Sequence, residues 1–167
     1  FQLPATLGSD LAGVVVETGG SVTRFKPGDA VFASIDGLRM GALAELAVVS
    51  ENAAALKPAN LDFVQAASIP MVGLTSWQAL KERAKLKPGQ KVFIPAGSGG
   101  IGTFAIQLAK HLGAKVGTTT STGNVNLVQS LGADEVIDYK QQEFEEVLRD
   151  YDVVLGNYVG PRWPAET

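Results

Sequence analysis

Residues 92–102 combine a short apolar segment with a Gly-x-Gly-x-x-Gly turn, and an amphipathic stretch at helical spacing follows directly. The order strand, glycine turn, helix is typical of a parallel α/β unit whose turn accepts a pyrophosphate. Here Gly97 is expected to turn the chain, Gly99 to leave no β-carbon facing the phosphates, and Gly102 to let the helix lie close to the strand. Free N–H groups at the helix start would face the anion. The alternative is a glycine-rich surface loop without a ligand.

The second half of the chain repeats this βα pattern. Apolar residues keep helical spacing from Gly102 to Leu112, about three turns, and Gly113 follows where a left-handed helix end favours glycine. Such alternation predicts a parallel sheet with right-handed crossovers. The further predicted elements are strands at 115–120, 135–139 and 151–155 and helices at 124–131 and 142–149.

The residues after the second strand indicate which dinucleotide would bind. In NAD-preferring sites a carboxylate about 20 residues beyond the glycines accepts hydrogen bonds from the adenosine ribose. No Asp or Glu occurs here between Gly97 and Ala133. Neutral polar residues stand at the end of the strand instead and could surround a 2′-phosphate without repelling it, so NADPH is favoured over NADH. These residues are Thr119, Thr120, Ser121, Thr122 and Asn124. A polar β-to-α turn without a ligand is the structural alternative.

Composition excludes several other classes of function. The chain has 167 residues and a formal net charge of −3, which gives no basic surface for nucleic acid. It has no cysteine, and its one histidine, His111, is expected to face solvent near the end of the helix that follows the glycine turn. Disulfides, thiolate metal sites and a Ser-His-Asp triad are therefore not expected. No apolar run approaches the about 18 residues of a membrane span, and no signal-peptide pattern opens the chain, so a cytoplasmic location is expected.

The first part of the chain has a different sequence pattern from the βα repeat. Strand-like stretches at 11–18, 29–34 and 42–50 are separated by glycine-containing turns, which suggests a compact β-rich domain. Helical patterns at 64–69 and 74–83 follow. We therefore place a domain boundary within 55–60, which gives domains at 1–58 and 59–155 and an unassigned tail at 156–167.

Six blocks along the chain carry a family resemblance. They are PATLGSDLAGVV at 4–15, FKPGDAVF at 25–32, GALAE at 41–45, GLTSWQAL at 73–80, AGSGGIG at 96–102 and LGADEVIDY at 131–139. Together these blocks resemble the medium-chain dehydrogenase/reductase superfamily, most closely its zinc-independent quinone oxidoreductase and zeta-crystallin branch. In zinc-dependent members a Gly-His-Glu motif in the first block supplies a zinc ligand, whereas Ser9 and Asp10 occupy those places here.

This resemblance implies an α/β chain: a partial GroES-like β-rich domain followed by a partial Rossmann domain, a doubly wound parallel sheet. It implies hydride transfer from NADPH to a small-molecule quinone, or to an activated enone or aldehyde, with no metal. No catalytic acid is assigned. By the family pattern Thr75 approaches the nicotinamide end, and Tyr139 touches the adenine ribose or its phosphate. Ser98, Gly99, Gly100, Ile101 and Gly102 would hold the pyrophosphate, and Thr120, Ser121 and Asn124 would lie at the adenosine 2′ position.

Each of these assignments has a structural alternative. Thr75 could only support its helix, Tyr139 could be an ordinary strand-end aromatic residue, and Asn124 could be a helix N-cap. The chain also lacks segments that family members carry before Phe1 and after the fourth Rossmann strand. Two further functions therefore stay open: a catalytically incomplete dinucleotide-binding remnant or interaction module, and an enoyl reductase domain. A homodimer is expected only in a longer parent protein.

Overall fold

The computed structural model describes residues 6–35 and 40–156, apart from the side chains of Glu145 and Glu146. The chain divides between Leu74 and Thr75 into two compact units. The domain limits inferred from sequence texture, 1–58 and 59–155, stay a prediction, and the predicted tail beyond Gly156 lies outside the described residues. Over the part of the chain that is described, no helix has the length and apolar character that a bilayer crossing requires.

The first unit contains a three-stranded antiparallel sheet. Its strands are, in spatial order, β1 (Asp10–Val14), β2 (Ala30–Ser34) and β3 (Ala54–Leu56). Ala12 lies opposite Phe32, and Phe32 lies opposite Ala55. The strand predicted at 11–18 ends early, although Val15 extends the ladder by donating its N–H to the Asp29 carbonyl at 2.9 Å.

The strand predicted at 42–50 is wrong. That segment has no strand structure, and its large apolar side chains are exposed, Val48 by 94%. A strand needs a neighbour for its backbone hydrogen bonds, and the free side of β2 is taken by β3 instead. Alternating apolar residues indicate a propensity for strand structure, but they do not determine which segment pairs with the free edge of β2.

The two helices of this region begin in different ways. Helix α1 (Phe63–Ala67) starts at a local capping box, in which Asp62 accepts from Gln65 N–H and Gln65 accepts from Asp62 N–H. Helix α2 (Pro70–Trp77) is preceded by Ile69, which has no polar side chain. Its cap comes from β1, where an Asp10 carboxylate oxygen accepts from Met71 N–H at 3.2 Å. Helix α2 therefore starts before the predicted 74–83, and a π-helical segment continues it over Gln78–Arg83.

The second unit contains a parallel sheet and three helices. The strands are β4 (Lys91–Ile94), β5 (Lys115–Thr120), β6 (Glu135–Asp138) and β7 (Val153–Val154), and the helices are α3 (Gly100–His111), α4 (Val125–Ser130) and α5 (Phe144–Val147). The sheet order is β6-β5-β4-β7, the 3-2-1-4 order of half a Rossmann sheet, and it confirms the predicted α/β architecture. The predicted helix at 142–149 and strand at 151–155 are both shorter in the structure.

The core of this unit joins α3 to the central strands. The apolar positions on one face of α3 are fully buried, and so are the alternating apolar residues of β4 and β5. Gly113 and Gly132 end α3 and α4 with φ values of 82° and 106°, as their positions predict. Fully buried core side chains include Leu80, Val92, Ile94, Ile106, Val116 and Val128.

Asp134 connects α3 to β5 and makes the stability of this unit sensitive to acid. Its carboxylate oxygens lie 2.8 Å from Lys110 Nζ, and one accepts from Val116 N–H at 2.6 Å. Burial alone raises the pKa of Asp134, but the hydrogen bonds from Lys110 and Val116 outweigh it and hold the pKa below its usual range. Because the folded pKa is depressed, the contribution is complete above the unfolded pKa and is lost as pH falls through the folded one.

We expect the wild-type chain to lose stability as pH falls below about 4, and we expect Asp134→Asn to flatten that dependence while lowering stability at pH 7. Urea unfolding at pH 7 and pH 3 measures both effects. Asp150→Asn makes the same replacement at an exposed site and is the matched control, unfolded at the same two pH values. Equal acid sensitivity in Asp134→Asn and wild type would contradict the assignment.

Candidate nucleotide site

The turn between β4 and α3 lies at the carboxyl edge of the parallel sheet. Gly97 N–H donates to the Thr119 carbonyl at 2.9 Å, and Ala96 N–H donates to Thr119 Oγ1 at 3.1 Å, so the end of β5 holds the turn. The left-handed residue is Ala96, with φ 53°, and not Gly97, which was expected to make the tight bend. Gly97 is required for a different reason, which is close packing.

The three glycines of the motif are distinguished by what a β-carbon would meet. At Gly97 it would collide with Thr118 Oγ1 and lie 3.1 Å from Ile106 Cδ1, so β5 and α3 both press on this position. At Gly102 it would collide with the Ala96 carbonyl oxygen and lie 2.7 Å from Gly97 Cα. At Gly99 the one neighbour within 4 Å is the Ala96 carbonyl oxygen, at 3.2 Å. Gly97 and Gly102 thus serve packing, and Gly99 leaves an open surface.

Helix α3 begins on that open surface with N–H groups that have no partner among residues 6–35 and 40–156. The first intrahelical bond runs from Thr103 N–H to the Gly99 carbonyl at 2.9 Å. The N–H groups of Gly100, Ile101 and Gly102 come earlier in the helix, where no carbonyl four residues back belongs to it. Together with the positive end of the helix dipole they form an anion-binding position, and a bare Gly99 N-cap leaves it accessible.

A cluster of neutral polar side chains lies beside this helix start. Thr120 Oγ1 donates to Ser98 Oγ at 3.0 Å, while Asn124 Nδ2 donates to Ser98 Oγ at 3.4 Å and to Ser121 Oγ at 3.3 Å. These four predicted residues are brought together from the glycine turn, the end of β5 and the 3-10 turn Thr122–Asn124. Asn124 precedes α4 but makes no side-chain cap hydrogen bond, so capping does not account for it.

The other two predicted contacts are placed differently. Tyr139 follows β6 with its side chain 56% exposed, and its N–H donates to the Thr120 carbonyl at 3.1 Å, so it borders the polar cluster. Thr75 lies half-buried in α2, and no hydrogen bond described for residues 96–103 involves it. The roles of Tyr139 and Thr75 toward a cofactor stay predictions.

Asp138 is a carboxylate that the sequence pattern alone does not indicate, because it follows the stretch without Asp or Glu that ends at Ala133. It lies opposite Thr120 at the end of β6 and is buried. Its oxygens accept from Lys140 N–H at 3.0 Å and Gln141 Nε2 at 2.6 Å. A hydrogen bond from the Thr122 side chain, followed by those from Lys140 and Gln141, lowers the pKa of Asp138 despite its burial. The oxygens of this carboxylate already accept hydrogen bonds from protein groups, so Asp138 is not a free acceptor for a ribose hydroxyl.

Two further residues of the turn have roles that the sequence pattern does not indicate. Ala96 carries the left-handed conformation, which no sequence rule predicts for alanine. Thr119, one of the predicted neutral donors, is buried, and its Oγ1 accepts from Ala96 N–H and so holds the turn, while its role toward a phosphate stays a prediction. The available signal was the run of three threonines in a buried strand, since buried hydroxyls need partners and the adjacent turn supplies them.

Two family models match the sequence. Residues 1–59 match the alcohol dehydrogenase GroES-like domain, and residues 100–156 match the zinc-binding dehydrogenase model. In the described ranges, 6–35 and 40–156, no three His, Asp or Glu side chains converge as metal ligands, and the sequence has no cysteine. His111, the one histidine, is exposed in the last turn of α3. These residues do not fit a zinc centre.

Full-length relatives are similar along most of the chain. The human mitochondrial NAD(P)H oxidoreductase RTN4IP1 is 44% identical over 166 residues, which are 95% of this chain and 42% of that protein. The quinone oxidoreductase structure from Coxiella burnetii has a TM-score of 0.86 and 38% identity, over 92% of this chain and 49% of that one. The Escherichia coli quinone oxidoreductase complexed with NADPH has a TM-score of 0.80 and 33% identity, over 86% of this chain and 44% of that one.

The chain thus spans less than half the length of these relatives. The two matched models follow the same order as the antiparallel and parallel sheets described above, and the glycine turn and half-Rossmann strand order agree with them. The two matched models and these relatives confirm the resemblance of the chain to the medium-chain dehydrogenase/reductase superfamily.

Proposed function

We propose that the chain is part of a zinc-independent oxidoreductase that transfers hydride from NADPH to a quinone or to an activated enone or aldehyde. One observation carries the proposal: free N–H groups at the start of α3 lie beside a cluster of neutral hydroxyl and amide groups. A dinucleotide with an added phosphate needs both features, one for its pyrophosphate and one for its adenosine end.

Each part of the site has a role in binding. The N–H groups of Gly100, Ile101 and Gly102 would bind the pyrophosphate, and Gly99 would leave it room. Ser98, which the family pattern assigns to the pyrophosphate, hydrogen-bonds with Thr120 and Asn124. Its hydroxyl and that of Ser121 would therefore face the adenosine 2′ position. Tyr139 would border the adenine ribose, and Thr75 the nicotinamide. When bound, NADPH supplies the hydride.

The names of relatives support the acceptor class. The human relative is an NAD(P)H oxidoreductase, and both solved structures are quinone oxidoreductases, one of them in complex with NADPH. A conjugated quinone or enone is already electrophilic, so the protein must mainly align donor and acceptor and stabilise the negative charge that develops on oxygen. That chemistry suits the part of the chain that the structure describes, where no three candidate ligand side chains come together to hold a zinc ion.

The remaining expectations are proposals of the same kind. The partner is a small molecule, not nucleic acid or membrane, and homodimer formation is proposed for a longer parent protein. A cytoplasmic location is proposed from composition, although the name of the human relative places that protein in mitochondria.

A binding titration combined with a turnover assay tests the function. We expect NADPH to bind this chain at least about tenfold more tightly than NADH, because no free carboxylate accepts from a ribose hydroxyl. Intrinsic fluorescence measures binding, and NADPH oxidation with a quinone, an enone and an enoyl thioester measures turnover. Failure to bind NADPH would overturn the proposal, and equal NADH affinity would overturn the cofactor choice. Binding without turnover, where a full-length relative is active, would favour a dinucleotide-binding module.

A further inference from the structure

The hydrogen-bond directions around Ser98 follow from the chemistry of its partners. Thr120 is 1% exposed and Ser98 is its one described side-chain acceptor, so its hydroxyl proton is used on Ser98, since a buried donor left unpaired is costly. The Asn124 Nδ2 group can only donate. Ser98 Oγ therefore accepts two hydrogen bonds, one from Thr120 and one from Asn124.

Two serine protons are left over by this arrangement. A hydroxyl has one proton and two acceptor positions, and both acceptor positions of Ser98 are occupied. Asn124 uses its second N–H on Ser121 Oγ at 3.3 Å, which makes Ser121 an acceptor as well. Neither serine has a described acceptor for its own proton, and both are half-buried at the rim of the sheet. Their protons are available to a group from outside the protein.

We propose that Asn124 is a positioning residue that turns the Ser98 and Ser121 hydroxyls into donors for the 2′-phosphate of NADPH. The inference rests on the proposed function and names the device by which the site selects its cofactor. A phosphate only accepts hydrogen bonds, so a site of outward donors suits it. A ribose 2′-hydroxyl also needs an acceptor, and Asp138, the carboxylate across from Thr120, already accepts from Lys140 and Gln141.

Reversing the amide tests the donor direction. Asn124→Asp keeps the shape but replaces the donating amide with an acceptor that would draw both serine protons inward. We expect it to lower the affinity for adenosine 2′,5′-bisphosphate by about tenfold or more. The affinity for 5′-AMP, which lacks the 2′-phosphate, should change less than about twofold. Isothermal titration calorimetry measures both probes. Asn126→Asp adds the same charge at an exposed position two residues further on, and it should change the affinity for either probe by no more than about twofold.

A second comparison separates positioning from direct contact. Asn124→Ala should weaken the bisphosphate about three- to tenfold in the wild-type background and less than about twofold in a Ser98→Ala/Ser121→Ala background, because the groups it orients are gone. An equal loss in both backgrounds would mean that Asn124 contacts the phosphate itself and would overturn the inference. So would unchanged bisphosphate binding in Asn124→Asp. If wild type binds neither NADPH nor the bisphosphate, the proposed function fails instead. Thermal unfolding of each variant verifies its fold.

Discussion

Gly102→Ala is expected to lower the free energy of unfolding by about 2 kcal/mol, although alanine is the better helix former. The reason is backbone crowding: the added β-carbon would collide with the Ala96 carbonyl oxygen and lie 2.7 and 2.8 Å from Gly97 Cα and its carbonyl carbon. Backbone atoms cannot rotate away as a side chain can, so the turn or α3 must shift. The cofactor position between them shifts too, and we expect NADPH affinity to fall with stability.

Urea unfolding and an NADPH titration measure these two losses. Gly123→Ala is the matched control, since nothing lies within 4 Å of a β-carbon there and the residue does not need a positive φ. The control should keep wild-type stability within about 0.5 kcal/mol. A Gly102→Ala protein as stable as the control would show that α3 does not pack on the turn as described.

Gly99→Val is expected to reduce NADPH and NADH affinity by about 100-fold or more while leaving most of the fold stable. Gly99 is exposed, and the one neighbour of its β-carbon is a carbonyl oxygen at 3.2 Å. The valine side chain would therefore stand on the open surface in front of the Gly100 and Ile101 N–H groups, where the pyrophosphate belongs. Because NADPH and NADH share the pyrophosphate that the valine would obstruct, the affinity for both cofactors should fall equally.

Two control variants test the Gly99→Val prediction. Gly99→Ala adds only the β-carbon and should lose less affinity than valine, and Gly13→Val makes the same replacement in β1, where nothing lies within 4 Å. Gly13→Val should bind NADPH like wild type. Unchanged affinity in Gly99→Val, measured by fluorescence titration, would remove the pyrophosphate from this turn.

Local sequence signals were sufficient where the chain folds on short-range contacts. The strand at 115–120 has the predicted limits because a run of β-branched residues lies between a helix-ending glycine and a polar turn. Gly97, Ser98, Gly99, Thr120, Ser121 and Asn124 lie at one edge of the sheet, as the βα pattern requires for residues that follow neighbouring parallel strands.

Signals that depend on distant partners were not sufficient. Whether 42–50 or Ala54–Leu56 pairs with β2 is a competition for one edge, and alternation does not rank the two segments. The left-handed Ala96 is held by Thr119, 23 residues later, and Asp138 becomes a neighbour of Thr120 only once β5 and β6 pair. Each of these outcomes depends on tertiary contacts that a local pattern does not contain.

The capping of α2 by Asp10 has a consequence for the order of folding. The carboxylate and the Met71 amide that it accepts from are 61 residues apart in sequence, and no polar side chain stands at Ile69 to replace it. The Asp10 carboxylate can therefore stabilise the first turn of α2 only after β1 has docked beside it. We expect amide hydrogen exchange at Met71 to slow together with that of the β1–β2 ladder, and not with that of the self-capped α1.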